Sequence, residues 1–281
     1  MQVRQVIVNG ILLGGVYALL GVGMTMMFGI VKLTNLAHGE FVIIGSFLST
    51  VIAKAIGCDP ILTLIVTVPL MFIIGMILQS GLINRVMLIG AEPALLVTFG
   101  LSIALADAML LIFSADAQRA NVPYNTASLK IANGLAISLL DLIVFVISLV
   151  TIIILSIILR KTYMGRSIRA TSDDTQAASL MGVSVKRTYG IAMGIAMATA
   201  AIAGMCVAMK WVFYPSSGAD YLLTAFGVVV IGGMGSIPGT MVAGVILGLA
   251  QVIGGANYGQ LISYIIMVIF LAVRPQGLFS K

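Results

Sequence analysis

Few residues in this sequence could carry out covalent or metal chemistry. The chain has one histidine, His38, and two cysteines, Cys58 and Cys206, without a C-x-x-C spacing. A single histidine excludes a multi-histidine metal site, and no G-x-S-x-G turn is present. No Gly-Lys dipeptide occurs, which excludes a Walker A nucleotide site. The sequence therefore predicts no catalytic residue, metal site or cofactor, and argues against an enzyme.

Acidic residues inside apolar segments are the next candidates, since each is costly in lipid. Asp107 and Asp141 fall near the ends of their segments, where solvation or a packing hydrogen bond explains them. Glu92 precedes Pro93 at a helix start, where a negative charge favours the helix dipole. No spaced series of acids indicates a proton relay, and no arginine ladder indicates a voltage sensor.

Two polar or glycine-rich stretches interrupt the apolar sequence. The first, 35–41, contains Asn35, His38, Gly39 and Glu40; it is either a tight connector or a helix break that faces a pathway. The second is either a surface turn or irregular backbone that lines a cavity. Its candidate residues are Gly232, Gly233, Gly235, Ser236 and Gly239.

The elements that hold these residues must be membrane helices. Of the 281 residues, 60% are hydrophobic and 9% are charged, whereas soluble domains average about 45–50% and 25%. This composition excludes a soluble enzyme, a nucleic-acid binder and a disordered chain. It predicts a single all-α, polytopic transmembrane helical bundle over residues 1–281, with about eight or nine membrane segments.

The apolar runs place these segments along the chain. The predicted ranges are 5–30, 36–56, 61–84, 92–114, 134–159, 188–212, 222–231, 238–253 and 258–273. The run at 222–231 is half the usual length, so a short or broken helix is predicted near 222–239, and a crossing is favoured over re-entry. Small residues four apart, at Gly10/Gly14, Gly190/Gly194 and Gly244/Gly248, predict close helix packing.

Basic residues predict the orientation of the bundle. The net charge is +6, and the connection 160–187 is the most basic one. It contains Arg160, Lys161, Arg166, Arg169, Lys186 and Arg187. This connection is predicted to be cytoplasmic. The N-terminus and the 115–133 loop then lie outside, and the C-terminal tail lies inside.

A short amphipathic helix is predicted within the 160–187 connection. Asp173 can cap it, Gln176 lies three residues later, and Gly182 suits the position after its end. The segment 174–181 would form two turns, about 12 Å long. Ala177, Leu180 and Met181 would be available to a groove on a partner, although a helix lying on the surface is the alternative.

The segment 176–182 (QAASLMG) resembles the E-A-A-x-x-x-G pattern of ABC importer permeases, with Gln176 in place of the usual Glu. Together with 14–41, the GRSIRA segment at 165–170 and the glycine-rich 232–239, it resembles the branched-chain amino acid ABC permeases of the LivH type. The resemblance covers nearly the whole chain. Related permeases for urea and short amides share these motifs.

The resemblance implies a subunit of a five-part importer in the bacterial inner membrane, which moves branched-chain or other hydrophobic amino acids by alternating access. Its partners would be a homologous permease subunit, two ABC ATPase subunits and an external solute-binding protein. The residues implied in coupling to the ATPases are Arg166, Arg169, Asp173, Gln176, Ala177, Ala178, Leu180 and Gly182. The interrupted stretches at 35–40 and 232–239 would form the translocation pathway or its gate.

Two functions from other classes remain as alternatives. A stand-alone ion-coupled transporter would use Glu40, Asp107 or Asp141 as its coupling acid. An intramembrane enzyme would need His38, but no nucleophile motif accompanies that residue.

Overall fold

The long apolar runs are helical, because backbone polar groups in lipid must pair within the chain. The computed structural model describes residues 2–131, 135–274 and 276–279. The helices of this part are α1 (Gln2–Val31), α2 (His38–Ile56), α3 (Leu64–Leu78), α4 (Asn84–Met87), α5 (Ala91–Phe113), α6 (Leu139–Lys161), α7 (Tyr163–Asp173), α8 (Thr175–Leu180), α9 (Val185–Lys210), α10 (Gly218–Gly232) and α11 (Ile237–Val273). A 3₁₀ turn at Pro60–Thr63 precedes α3, and a π-helical turn at Gln79–Ile83 joins α3 to α4.

Seven helical stretches of the described residues are long and apolar enough to cross a membrane. The last of them, α11, folds back at Gly255, whose φ and ψ are 64° and −164°. The Ser263 hydroxyl donates to Leu247 O at 3.4 Å, so the arms 237–254 and 256–273 lie side by side and antiparallel. Counting both arms and the short α10 gives nine segments, which confirms the predicted all-α polytopic bundle.

The centre of the bundle is formed by α1, α2 and α9, most of whose residues are buried. Helices α3, α5 and α6 surround them and expose their Leu and Ile side chains. The spaced glycines allow close contact, as predicted. Gly10 and Gly14 of α1 face Gly244 and Gly248 of α11, and a Cβ on Gly14 would lie 2.5 Å from Val245 Cα.

The predicted helix over 134–159 is wrong at its start. Residues Leu135–Ser138 form a strand that pairs antiparallel with Ser128–Ile131. Ser138 ends this strand by capping α6, since its Oγ accepts a hydrogen bond from Asp141 N at 3.4 Å. Residue 134 itself lies outside the described residues.

The helix ends group at two faces, in agreement with the predicted alternation of sides. At one face, which we call the basic face, Ser172 of α7 donates to Gly29 O, and Asn84 Nδ2 donates to Lys186 O at 3.4 Å. At the opposite face, which we call the hairpin face, Gln5 contacts the β-hairpin through Ala136 O, and Gln118 N donates to Phe213 O.

The structure shows the environment of two of the intramembrane acids, Asp141 and Asp107. Asp141 forms an ion pair with Lys210 near the hairpin face, which agrees with the packing interpretation, and Asp107 is exposed on α5. In the loops of the same face, the Tyr124 hydroxyl donates to Asp59 Oδ1 at 3.2 Å. Burial and the neighbouring Asp59 raise the pKa of Tyr124 above its ordinary value, which favours the protonated hydroxyl that donates to Asp59.

Candidate functional site

The first candidate site is the projection formed by α7 and α8 at the basic face. Thr162 caps α7, because its Oγ1 accepts from Gly165 N at 3.1 Å. Gly165 lies so close to Leu159 O that a side chain at 165 would overlap with it. Arg169 donates to the same carbonyl oxygen, and the Arg166 guanidinium lies 5.8 Å from the centre of the Tyr163 ring. These two arginines therefore belong to the turn from α6 into α7, not to α8.

Helix α8 begins one residue later than the sequence predicted. Asp174, not Asp173, is the cap: its Oδ1 accepts from Gln176 N at 2.8 Å and from Ala177 N at 3.0 Å. Asp173 is the last residue of α7. The spacing to Gln176 favoured Asp173, but α7 continues through Asp173 and leaves Asp174 as the residue before α8.

The end of α8 agrees with the prediction for Gly182. This residue has φ +84°, the left-handed region that favours glycine. Gly182 N donates to Ser179 O and Val183 N donates to Ala178 O, both at 3.0 Å. These bonds satisfy carbonyl groups that the helix end leaves free, so α8 is a closed unit of two turns.

One face of α8 is free and apolar. Ala178 packs inward and is 5% exposed, whereas Leu180 is 88% and Met181 is 86% exposed. Gln176 and Ala177 are also exposed. Two large apolar side chains at the tip of a capped helix are typical of a surface that binds another protein.

The cap leads to a prediction that separates the two aspartates. We expect Asp174→Ala to lower the local stability of α8 by about 1 kcal/mol, which corresponds to about fivefold faster amide exchange over 176–181. The matched control is Asp173→Ala, which removes a neighbouring charge but no capping bond, and exchange over 176–181 should stay unchanged. Hydrogen–deuterium exchange of the two variants measures this difference, and equal rates would show that Asp174 is not the cap.

The second candidate site is the stretch before α2, which lies within the bundle. Asn35 Oδ1 accepts from Ala37 N at 3.1 Å, and Asn35 Nδ2 approaches Met193 Sδ at 3.8 Å. The His38 Nε2 atom lies 3.1 Å from Leu20 O, far from either end of α1. Helix α2 therefore starts beside the middle of α1, inside the bundle.

Glu40 meets the start of α10. Its carboxyl lies directly over Gly218, where any side chain would overlap with it, and Gly39 lies equally close to Gly218 O. Glu40 is 5% exposed; one carboxyl oxygen accepts from Ser102 Oγ at 3.4 Å, and the other has no hydrogen-bond partner among the described residues. A carboxylate at the first turns of α2 and α10 is favoured by both helix dipoles.

The glycine-rich stretch lies at the opposite end of α10. Gly233 and Gly235 have φ of 94° and 81°, and Ser236 caps α11 by accepting from Gly239 N at 3.1 Å. Gly239 packs on Gly232, so the last turn of α10 and the first turn of α11 touch through backbone atoms. The C-terminal tail is held there, since Leu278 N donates to Ile231 O at 2.9 Å.

The structure thus brings each predicted stretch to one end of α10, but it does not bring the two together. Asn35, His38 and Glu40 are at most 5% exposed, and none of them lines the three cavities of about 350, 420 and 340 Å³ among the described residues. Sequence reasoning missed Gly218, and a single glycine after a 3₁₀ turn has no local pattern that would have indicated it. No three His, Cys, Asp or Glu side chains of the described part come together as metal ligands.

Comparison with known proteins places this architecture in a family. The model of the family described as "Branched-chain amino acid transport system / permease component" matches residues 6–271. The chain belongs to this family. It is accordingly a permease component of a transport system and a multi-pass integral protein of the bacterial inner membrane.

Similarity to curated permeases extends over nearly the whole chain. The LivH permease protein of Salmonella typhimurium, from a high-affinity branched-chain amino acid transport system, is 30% identical, over 99% of this chain and 95% of its own length. The BraD permease protein of Pseudomonas aeruginosa, named for the same kind of system, is 29% identical over the same shares. A LivH described as probable, from Methanocaldococcus jannaschii, is 25% identical over 98% of this chain and 92% of its own length. No solved structure matches the chain.

Proposed function

We propose that this permease component is the transmembrane subunit of an ATP-driven ABC importer for branched-chain or other hydrophobic amino acids. The observation that carries the proposal is the similarity to branched-chain amino acid permease proteins over the full length of the chain. The low number of intramembrane charges supports it, because an apolar solute needs no ion-pair partner in its path.

The proposed partners are a homologous permease subunit, two ABC ATPase subunits and an external solute-binding protein. In this arrangement, residues 160–187 are the cytoplasmic coupling loop of a single permease domain, and α8 is the element that docks on an ATPase. Leu180 and Met181 enter a groove on that subunit, and the Arg169 bond to Leu159 O passes its motion to α6.

The proposed gate is α10 with its two ends. Glu40 and Gly39 hold its first turn against α2, while the stretch 232–239 connects its last turn to α11 and, through Gly29, to α1. Glycines at both ends would let α10 shift as a short rigid helix, since α10 itself contributes no side chain to the contacts of Gly218 and Gly232. Alternating access would then open and close the path on either side of α10.

The importer proposal is tested by isolating the chain with its partners. We expect a mild-detergent pull-down from native membranes to recover a second polytopic subunit and ATPases with Walker A motifs. The complex, reconstituted with its solute-binding protein, should hydrolyse ATP faster with leucine than with urea. A chain that purifies alone and drives uptake from a pH or Na⁺ gradient would contradict the proposal, whereas stimulation by urea alone would correct only the solute.

A further inference from the structure

A cavity of about 350 Å³ lies apart from both candidate sites described above. It is bounded by Tyr17 in the middle of α1, the first half of α10 and both arms of α11, and the connection 211–217 forms its mouth. Phe213 in this connection pairs with Gln118, which places the mouth at the hairpin face, opposite α7 and α8. Its volume is at the small end of the range of about 300–1,000 Å³ for ligand pockets, which suits one amino acid and not a peptide.

One part of the cavity wall carries polar side chains, one of which is charged. Of the described residues that line it, Asp220 is the single charged one, and none is Lys or Arg. Around it are hydrogen-bonding groups: the Tyr17 hydroxyl donates to Gln251 Oε1 at 2.5 Å, and Gln260 Nε2 donates to the Tyr264 hydroxyl at 3.0 Å. A lone carboxylate attracts an ammonium group, while hydroxyl, amide and indole N–H groups can donate to a carboxylate.

The floor of the cavity is apolar. Leu247 and Met267 line it on either side of Gly227, where a Cβ would lie 3.2 Å from Met267 Sδ and 3.4 Å from Leu247 Cδ1. The glycine therefore leaves room above two flexible apolar side chains. A small branched hydrocarbon group fits such a floor, and methionine adapts its shape to differently branched ones.

We propose that this cavity binds a zwitterionic amino acid with an apolar side chain on its way through the permease. The ammonium group binds Asp220, the carboxylate accepts from the Tyr264 hydroxyl and the Trp211 indole N–H, and the side chain rests on Leu247 and Met267. This inference rests on the proposed function, because it names where the transported solute binds within this chain. A lipid ammonium headgroup shares part of this chemistry and must be distinguished from the solute.

The chain provides its own probe of this cavity. Its single tryptophan, Trp211, lines the mouth, so the intrinsic fluorescence of the full chain reports on occupancy. Nanodiscs of phosphatidylglycerol contain no ammonium lipid, which removes the competing headgroup. L-leucine should change the Trp211 emission in a saturable manner, whereas isocaproate, which lacks the ammonium group, and glycine, which lacks the side chain, should give a much weaker response.

Two variants decide whether Asp220 binds the ammonium group. Asp220→Asn should weaken the apparent affinity for leucine about tenfold, as expected for the loss of one charge-assisted bond. The matched control is Asp116→Asn, which removes an exposed acid at the same face but outside the cavity, and it should titrate like the wild type. The proposal is overturned if leucine gives no saturable response, if isocaproate equals leucine, or if Asp220→Asn titrates unchanged.

Failure of this inference can be separated from failure of the proposed function. If the reconstituted complex imports leucine while the nanodisc titration shows no binding, the importer stands and the cavity is not its solute site. If neither assay responds to leucine, both the proposed solute and the proposed site are wrong.

Discussion

Leu180→Asp is expected to abolish the solute-stimulated ATP hydrolysis of the reconstituted complex, while the variant should still insert into the membrane. The side chain is 88% exposed in the chain alone, so the substitution does not disturb the fold. In the complex, an unpaired aspartate buried against a partner costs about 1–3 kcal/mol or more, enough to separate α8 from a hydrophobic groove. The matched control is Leu180→Met, which keeps the apolar surface and should retain most of the stimulation.

A second substitution tests the projection formed by α7 and α8 by changing the backbone conformation at the end of α8. Gly182→Pro requires φ near −65° where the native φ is +84°, and it removes the bond from Gly182 N to Ser179 O. The end of α8 can then no longer close, and coupling should be lost as in Leu180→Asp. A bulky side chain at the exposed Ala177 should have the same result. Normal stimulation in these variants, measured as ATPase activity with and without solute, would contradict the assignment of α8 to coupling.

Gly39→Ala should have the largest effect on stability among single-methyl additions. Its Cβ would overlap with Gly218 O and lie 2.9 Å from Leu222 N, so only a movement of the backbone of α2 or α10 could relieve the contact. We expect the free energy of unfolding to fall by about 3 kcal/mol, the upper part of the usual range for overpacking. The change is measured as a lower midpoint of thermal unfolding in detergent, and solute transport should fall with it.

The matched control for this prediction is Gly100→Ala on α5. An added methyl at residue 100 meets no atom within 4 Å, and alanine is the better helix former, so stability should change by less than about 1 kcal/mol. Equal midpoints for the two variants would show that α2 and α10 are not packed as closely as described.

Local sequence patterns predicted the features that depend on only a few neighbouring residues. The left-handed Gly182 and the acidic cap of α8 follow from bonds within one or two turns, although the position of the cap was wrong by one residue. The glycine pairs of α1 and α11 were also recognisable, because four-residue spacing places small residues on one helix face.

Other features had no local pattern. The strand Leu135–Ser138 was assigned to a helix because apolar residues suit both structures, and its partner strand decided between them. The fold-back at Gly255, by contrast, agrees with the predicted break between the runs 238–253 and 258–273.

The sequence by itself determined that lipid surrounds this protein, that the chain is all-α and that its loops group at two faces. These properties follow from the hydropathy and charge of each segment taken independently. The tertiary structure alone decided that Glu40 meets Gly218, that Asp141 pairs with Lys210, and that Tyr17, Asp220 and Tyr264 share one cavity. These residues are far apart along the chain. Which of them meet depends on how complementary helix surfaces pack, and no single segment contains that information.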